Sequence, residues 1–185
     1  MRHLRARAHV GVLDLHERAD LAARAQDGAG AQVAERAHAD AVLEHAVGAE
    51  TASRVTIFAG DIVPAKKPDP AIYLLTVERL GLDPNDILVV EDSRNGLLAA
   101  DRAGLSCLVT VSGYTRDEGF DEAVLVVSEI GDPGRPPIEV IANRGPARPG
   151  DYLTLDDLGA CAGVRAPNAR PAARSGSESA QGGTG

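Results

Sequence analysis

The stretch Ile-Leu-Val-Val-Glu-Asp-Ser-Arg-Asn-Gly, residues 87–96, decides the fold of this chain. Four apolar residues that favour strands run directly into two adjacent carboxylates, Glu91 and Asp92, and a helix is predicted to begin near Asn95. The two acids therefore lie at the carboxyl end of a buried strand. Because open α/β sheets place their ligand sites at that end of the strands, we expect a functional site here.

A second anchor lies upstream, in the sequence Lys-Lys-Pro-Asp-Pro at residues 66–70. Lys66 and Lys67 are the only lysines of the chain. A compact ammonium group near a pair of carboxylates suits a site that holds a phosphate group and a divalent metal ion. The alternative interpretations are an exposed loop charge for Lys67, and a solvated strand end or helix cap for Glu91 and Asp92.

Composition restricts the class of protein. The chain has 185 residues, of which 44% are hydrophobic and 3% aromatic, so its core is predicted to consist of aliphatic side chains. A net charge of −8 without a basic patch argues against nucleic acid as a partner. No apolar run has the length of a membrane-spanning helix and no secretory signal pattern is present, so we expect no membrane association and a cytoplasmic location. Asp14 and Glu17 argue against an organelle transit peptide, and Cys107 and Cys161 are expected to be reduced.

Predicted helices and strands alternate through the middle of the chain. This order predicts an α/β fold, a Rossmann-like parallel sheet with flanking helices. The predicted helices cover residues 35–48, 71–80 and 96–103, and the predicted strands cover residues 55–61, 87–91, 107–111 and 124–127.

Four regions follow from this pattern. Residues 1–34 form an atypical N-terminal segment and residues 35–141 the α/β core. Residues 142–163 are predicted to be a loop with one short amphipathic helix at 152–158. Residues 164–185 consist mostly of Ala, Pro, Arg, Ser and Gly, a composition typical of a disordered tail.

Several short motifs within the core occur together. They are Lys-Pro-Asp-Pro at 67–70, Val-Val-Glu-Asp-Ser-Arg-Asn-Gly at 89–96, Ala-Gly at 103–104 and Ser-Gly-Tyr-Thr at 112–115. Together they make the chain closely resemble the haloacid dehalogenase superfamily of phosphotransferases. Within it the chain is similar to the CbbY-type sugar-phosphate phosphatases and the β-phosphoglucomutases, over roughly residues 35–141.

The resemblance implies a chemistry for the site. In this superfamily an aspartate after the first strand attacks a phosphoryl group, a lysine neutralises charge, and Mg²⁺ is held by acids of a later strand. It therefore implies Lys67 as the catalytic and phosphate-binding lysine, and Glu91 and Asp92 as the Mg²⁺ ligands. Ser93 and Asn95 are implied as substrate-binding residues, because their turn directs a helix N-terminus toward the anion. The implied substrate is a small phosphorylated metabolite, a sugar phosphate.

The N-terminal part departs from the family pattern. The chain has no Asp-x-Asp-Gly-Thr motif, and Asp14, which follows the apolar run at residues 10–13, is the nearest candidate for the nucleophile. An ordinary polar residue in an amphipathic segment is the alternative interpretation of Asp14. There is also no room before Glu35 for a cap domain. We therefore expect an N-terminally incomplete haloacid dehalogenase-like core whose first 34 or so residues come from a wrong reading frame or start, leaving an open sheet edge.

Two functions stay open at this stage. The first is a Mg²⁺-dependent phosphatase, a hydrolase, of a small sugar phosphate. The second is a non-catalytic remnant that binds a metal ion and an anion, or a partner protein. A phospho-receiver domain is disfavoured, because its acidic pair should precede its lysine, whereas here Lys67 precedes Glu91.

Overall fold

The computed structural model describes residues 38, 40–58 and 62–170. In chain order, these residues form helical residues 40–47 (α1), Ala49–Ala52 (α2), Ala71–Leu80 (α3), a 3₁₀ turn at Pro84–Asp86, Leu88–Glu91 (β1), Arg94–Arg102 (α4), Ser106–Thr110 (β2), Leu125–Val127 (β3), Val140–Asn143 (β4) and Leu155–Cys161 (α5). The strands make one sheet in the order β1-β2-β3-β4. β1, β2 and β3 are parallel and β4 is antiparallel to β3, which confirms the predicted α/β fold.

The three parallel strands are buried on both faces of the sheet, as their continuous apolar sequences predict, whereas β4 is largely exposed. Alternate residues point to opposite sides, so Val89 and Cys107 pack toward α3 and α4 while Leu88 and Leu108 pack toward α5. Glu91 belongs to the same side as Val89 and pairs in register with Val109 of β2. The strand pattern therefore directs the Glu91 carboxylate into the layer between the sheet and α3.

Helix α3 has the predicted limits because its ends are set by local chemistry. Gly81 ends it in the left-handed conformation, with φ of 60°. At its start the N-cap is Pro70, and Asp69 Oδ1 accepts a hydrogen bond from the Ala71 amide at 2.9 Å. The Asp69 side chain thus still satisfies an amide of the first turn.

Helix α4 begins at Arg94, next to the predicted start at Asn95. The hydroxyl of Ser93 caps it by accepting a hydrogen bond from the Gly96 amide at 3.3 Å. Leu97 and Ala99 are fully buried against the sheet. The start of α4 is therefore fixed at the carboxyl end of β1.

One prediction for the N-terminal part of the core was wrong. Residues 55–58 form no strand, and residues 59–61 lie outside the described part. A strand needs a neighbour to bind its backbone groups, and among the described strands β1 pairs only with β2. The described part of α1 is mostly exposed, since Val42 and Val47 are 53% and 44% exposed.

The C-terminal part is more ordered than its composition predicted. Strand β4, at Val140–Asn143, crosses the predicted boundary at residue 141 between the core and the following loop. The short helix is present, but it starts at Leu155 because Thr154 and Asp157 form a capping box. The predicted boundary of the disordered tail at residue 164 was wrong, since the described structure continues to residue 170 and Ala166 is buried.

A buried ion pair explains why residues 164–170 are held on the core. Arg165 Nη2 lies 2.5 Å from Asp101 Oδ1, and the Arg170 amide donates to the same oxygen at 3.1 Å. Arg165 also donates to the Leu105 carbonyl at 2.8 Å. Burial raises the pKa of Asp101, while Arg165 opposes this by favouring the charged carboxylate.

Both cysteines are free and buried in the described structure, as expected for reduced thiols. Burial raises the pKa of Cys107 well above its usual value and that of Cys161 to about 11. Neither thiol is therefore suited to act as a nucleophile. None of the helices in the described ranges has the length and apolar character needed to cross a bilayer.

Candidate active site

The loop at residues 66–69, here called the lysine loop, is closed by its own backbone and bonded to α4. The Asp69 amide donates to the Lys66 carbonyl at 3.0 Å, which closes a tight turn around Lys67. Arg102, in the last turn of α4, donates to the Pro68 carbonyl at 2.6 Å. These bonds fix the backbone on both sides of Lys67.

Lys67 and Glu91 form an ion pair, as their predicted positions at one sheet edge require. Lys67 Nζ lies 2.8 Å from Glu91 Oε1, and the two side chains are 11% and 4% exposed. The hydroxyl of Tyr73 donates to the same carboxylate oxygen. The charge of Glu91 is thus satisfied by one cation and one neutral donor within a mostly apolar layer.

Gly96 is needed to make room for this carboxylate. A Cβ atom on Gly96 would lie 1.9 Å from Glu91 Oε2 and 2.2 Å from Glu91 Cδ. The first turn of α4 and the carboxylate are therefore in direct contact. Only a glycine at this position allows Glu91 to occupy its observed conformation.

The neighbouring acid is placed differently. Asp92 follows β1 directly and is exposed, whereas Glu91 is buried. Ser93 is half-buried and caps α4, and Asn95 is exposed in the first turn of that helix. The structure therefore brings Lys67, Glu91, Asp92 and Ser93 to one edge, while Asp14 lies outside the described residues.

The loop after β2 fixes the start of α4. Arg94 forms a two-pronged ion pair with Glu122, in which Nη2 and Oε1 are 2.8 Å apart. The Arg94 amide also donates to Glu118 Oε2 at 2.7 Å. Tyr114 lies in this loop and is 98% exposed, so the packing role that its aromatic ring suggests does not apply.

The Arg94–Glu122 pair predicts an acid-dependent loss of stability. Its hydrogen bonds lower the pKa of Glu122 below the usual 4.5, so its contribution is complete above pH 4.5 and falls as the pH drops through the lowered pKa. At pH 7, Glu122→Gln should lower the free energy of unfolding by about 1 kcal/mol, a typical value for a partly exposed pair. Urea unfolding at pH 7 and pH 3 measures this, and an equal loss at both values would contradict it.

The donors at this edge fit a Mg²⁺ ion only in part. Mg²⁺ in proteins is commonly held by one or two carboxylates together with water and phosphate oxygens. Asp92 offers an exposed carboxylate, but Glu91 Oε1 already accepts two hydrogen bonds and Oε2 faces Gly96. Within the described ranges, no cluster of three or more His, Cys, Asp or Glu side chains is arranged to hold a metal ion. Of the two acids, Asp92 is therefore better placed to bind a Mg²⁺ ion.

Tyr73 is the site residue that the sequence did not reveal. It is 1% exposed and contacts Glu91 from the first turn of α3. The available signal was an aromatic residue just after the lysine loop, in a chain with only three Tyr and two Phe. That signal is weak, because an aromatic in a helix is more often a simple core residue.

The chain is similar in sequence to known proteins. Residues 34–104 match the family model described as haloacid dehalogenase-like hydrolase. The chain is 56% identical over 93 residues to a CBBY-like protein of Arabidopsis thaliana, and 40% identical over 78 residues to phosphoglycolate phosphatase 1 of Pseudomonas aeruginosa. These alignments cover 50% and 41% of this chain, and each covers 29% of the relative.

A solved structure is similar as well. The crystal structure of CbbY from Rhodobacter sphaeroides in complex with phosphate is 45% identical, with a TM-score of 0.39, over 40% of this chain and 33% of that one. The chain thus spans about a third of the length of these proteins. Residues 34–104, which carry Lys67 and the acid pair, are thus similar to a haloacid dehalogenase-like hydrolase domain. The relatives that the chain matches include a CBBY-like protein and a phosphoglycolate phosphatase.

Proposed function

We propose that this chain carries the catalytic lysine and the metal-binding acids of a Mg²⁺-dependent phosphatase that acts on a small sugar phosphate. The observation that carries the proposal is the buried ion pair of Lys67 and Glu91 beside the exposed Asp92. The names of the relatives support a phosphorylated metabolite as the substrate class, since one of them is a phosphoglycolate phosphatase.

Each residue would have a distinct role. The Lys67 ammonium would neutralise the charge of the phosphate group, because phosphoryl transfer depends mainly on positioning and charge stabilisation. The N-terminus of α4 would attract phosphate oxygens through its positive end, although the Arg94 and Gly96 amides already donate to Glu118 and Ser93. Asn95, exposed in the same turn, would contact the substrate.

Asp92, with Glu91 behind it, would hold the metal ion. Bound Mg²⁺ would supply positive charge that polarises the phosphoryl group. The Glu91 side chain would act chiefly by keeping Lys67 in place, since Lys67 and Tyr73 occupy its Oε1. Asp14 stays the candidate nucleophile. Its attack on phosphorus would form an aspartyl phosphate and release the alcohol of the substrate, and water would then hydrolyse the aspartyl phosphate to inorganic phosphate.

Hydrolysis of p-nitrophenyl phosphate, with and without Mg²⁺, tests this function. We expect Mg²⁺-dependent turnover that falls by about 10²–10³-fold in Asp92→Asn, the range seen when one group that stabilises transition-state charge is lost. Asp14→Asn should abolish the turnover. Asp83→Asn is the control and should not change it, because Asp83 is an exposed aspartate that caps the 3₁₀ turn. Turnover that survives Asp92→Asn would contradict the proposed metal site.

The second candidate function is a non-catalytic remnant that binds a metal ion and an anion, or a partner protein. The observation that favours it is that, within the described residues, no third His, Cys, Asp or Glu side chain is grouped with Glu91 and Asp92. A folded protein that binds phosphate but shows no turnover with any metal ion would support this alternative. It would also rule out Asp14 as a working nucleophile.

A further inference from the structure

Tyr73 contacts both members of the ion pair at the site. Its hydroxyl donates to Glu91 Oε1, which also accepts a hydrogen bond from Lys67 Nζ at 2.8 Å. The same Nζ lies 5.6 Å from the centroid of the Tyr73 ring. The buried Tyr73 side chain therefore binds the Glu91 carboxylate through its hydroxyl, and its ring lies close to the Lys67 ammonium group.

These contacts go beyond the filling of space. A phenylalanine would occupy nearly the same volume, so the hydroxyl is the part that packing does not require. A buried hydroxyl needs a partner, and here the partner is a charged carboxylate. The face of an aromatic ring also attracts an ammonium group at this distance.

The surroundings leave the carboxylate little freedom. Tyr73 and Lys67 both bond its Oε1, and the Gly96 backbone lies directly behind Oε2. Rotation of the Glu91 carboxylate would break the bond from Tyr73 and move the partner of Lys67. The position of the ammonium group is thus coupled to the Tyr73 hydroxyl.

We propose that Tyr73 is a positioning residue, which fixes the Glu91 carboxylate and through it holds the Lys67 ammonium at the carboxyl end of β1. The effect of this positioning on phosphate binding rests on the proposed function. The ordering of Lys67 can be measured without any ligand, so the two can fail separately.

The test compares Tyr73→Phe with Thr76→Val in the full-length protein. Thr76 is a matched control, because it is also buried in α3 and its hydroxyl bonds the Ile72 carbonyl rather than Glu91. Lys66 and Lys67 are the only amines besides the N-terminus, so acetylation followed by tandem mass spectrometry reports Lys67 against an exposed internal standard. The ratio of Lys67 to Lys66 modification should rise about tenfold in Tyr73→Phe, as expected for loss of a hydrogen bond to a charged group, and stay unchanged in Thr76→Val.

An unchanged ratio in Tyr73→Phe, or an equal rise in both variants, would overturn the proposal. If Tyr73→Phe does not fold, the wild-type protein labelled with ¹³C-lysine gives the answer. A nuclear Overhauser contact between the Lys67 Cε protons and the Tyr73 ring is expected, and its absence would overturn the proposal.

Inorganic phosphate separates this proposal from the proposed function. Its dissociation constant, measured by calorimetry, should rise about tenfold in Tyr73→Phe and not in Thr76→Val, because a displaced ammonium group binds the anion less well. If the wild-type protein binds no phosphate but the acetylation ratio still rises, the proposed function fails and the positioning role stands. Phosphate binding that is equal in all three proteins would overturn the role of Tyr73 toward the ligand.

Discussion

Replacing Lys67 with methionine is expected to lower the free energy of unfolding by about 3 kcal/mol, because it leaves the buried Glu91 carboxylate without its cation. The bond from Tyr73 stays and keeps the loss at the lower end of the range for broken buried pairs. Urea unfolding monitored by circular dichroism at pH 7 measures the change. A loss below 1 kcal/mol, the level of an exposed ion pair, would contradict a buried pair at this position.

Lys66→Met is the matched control for this variant. Lys66 is the exposed neighbour of Lys67, so its replacement should change stability by no more than about 0.5 kcal/mol. The double variant Lys67→Met/Glu91→Gln should recover much of the loss, since removing both charges is far less costly than stranding one. A double variant as unstable as Lys67→Met would mean that Lys67 stabilises the fold through other contacts.

The second large effect concerns Gly96. Replacing a glycine in a helix by alanine usually stabilises a protein by about 0.5–1 kcal/mol. Here the added Cβ would lie 1.9 Å from Glu91 Oε2, so Glu91 would have to leave its place and lose its bonds to Lys67 and Tyr73. We therefore expect Gly96→Ala to destabilise the protein by about 2 kcal/mol, as overpacking of a filled interior does.

Gly159→Ala is the control for the direction of this change in stability. Gly159 lies within α5, and a Cβ atom there would meet nothing within 4 Å. Its replacement should be neutral or stabilising by the ordinary amount for a helix. Thermal unfolding of the two variants side by side gives the comparison, and a Gly96→Ala protein as stable as Gly159→Ala would show that Glu91 does not pack against α4 as described.

The parts of the fold that the sequence predicted are those set by local chemistry. The end of α3 follows from Gly81, and the start of α4 from the Ser93 cap. The apolar run of β1 likewise placed Glu91 and Asp92 at a strand end. Such features depend on residues within a few positions of each other, and the sequence displays them directly.

The rest depends on contacts between distant residues. The predicted strand at 55–61 needed a neighbour that the described residues do not provide. Residues 164–170 are ordered by Arg165, whose partner Asp101 is 64 positions away. Composition alone gave no indication of this contact.

The site also combines features set by local sequence with features set by distant contacts. The motifs predicted that Lys67 and the two acids lie together, because the carboxyl ends of parallel strands meet at the same end of the sheet. They gave no indication that Glu91 is buried while Asp92 is exposed, because that difference comes from the packing of α3 and Gly96 against the end of β1. Tyr73 was not predicted, because its contact with Glu91 also arises from the packing of α3 against the end of β1.

The most direct test of the account is a titration of the ¹⁵N-labelled protein with inorganic phosphate in the presence of Mg²⁺. Concentrations up to about 10 mM cover the millimolar dissociation constants that a few polar contacts provide. We predict amide shifts confined to the lysine loop at residues 66–69 and to residues 91–97, and their loss in Lys67→Met but not in Lys66→Met. Shifts located elsewhere in the protein, or none at all, would contradict a phosphate site at the carboxyl end of β1.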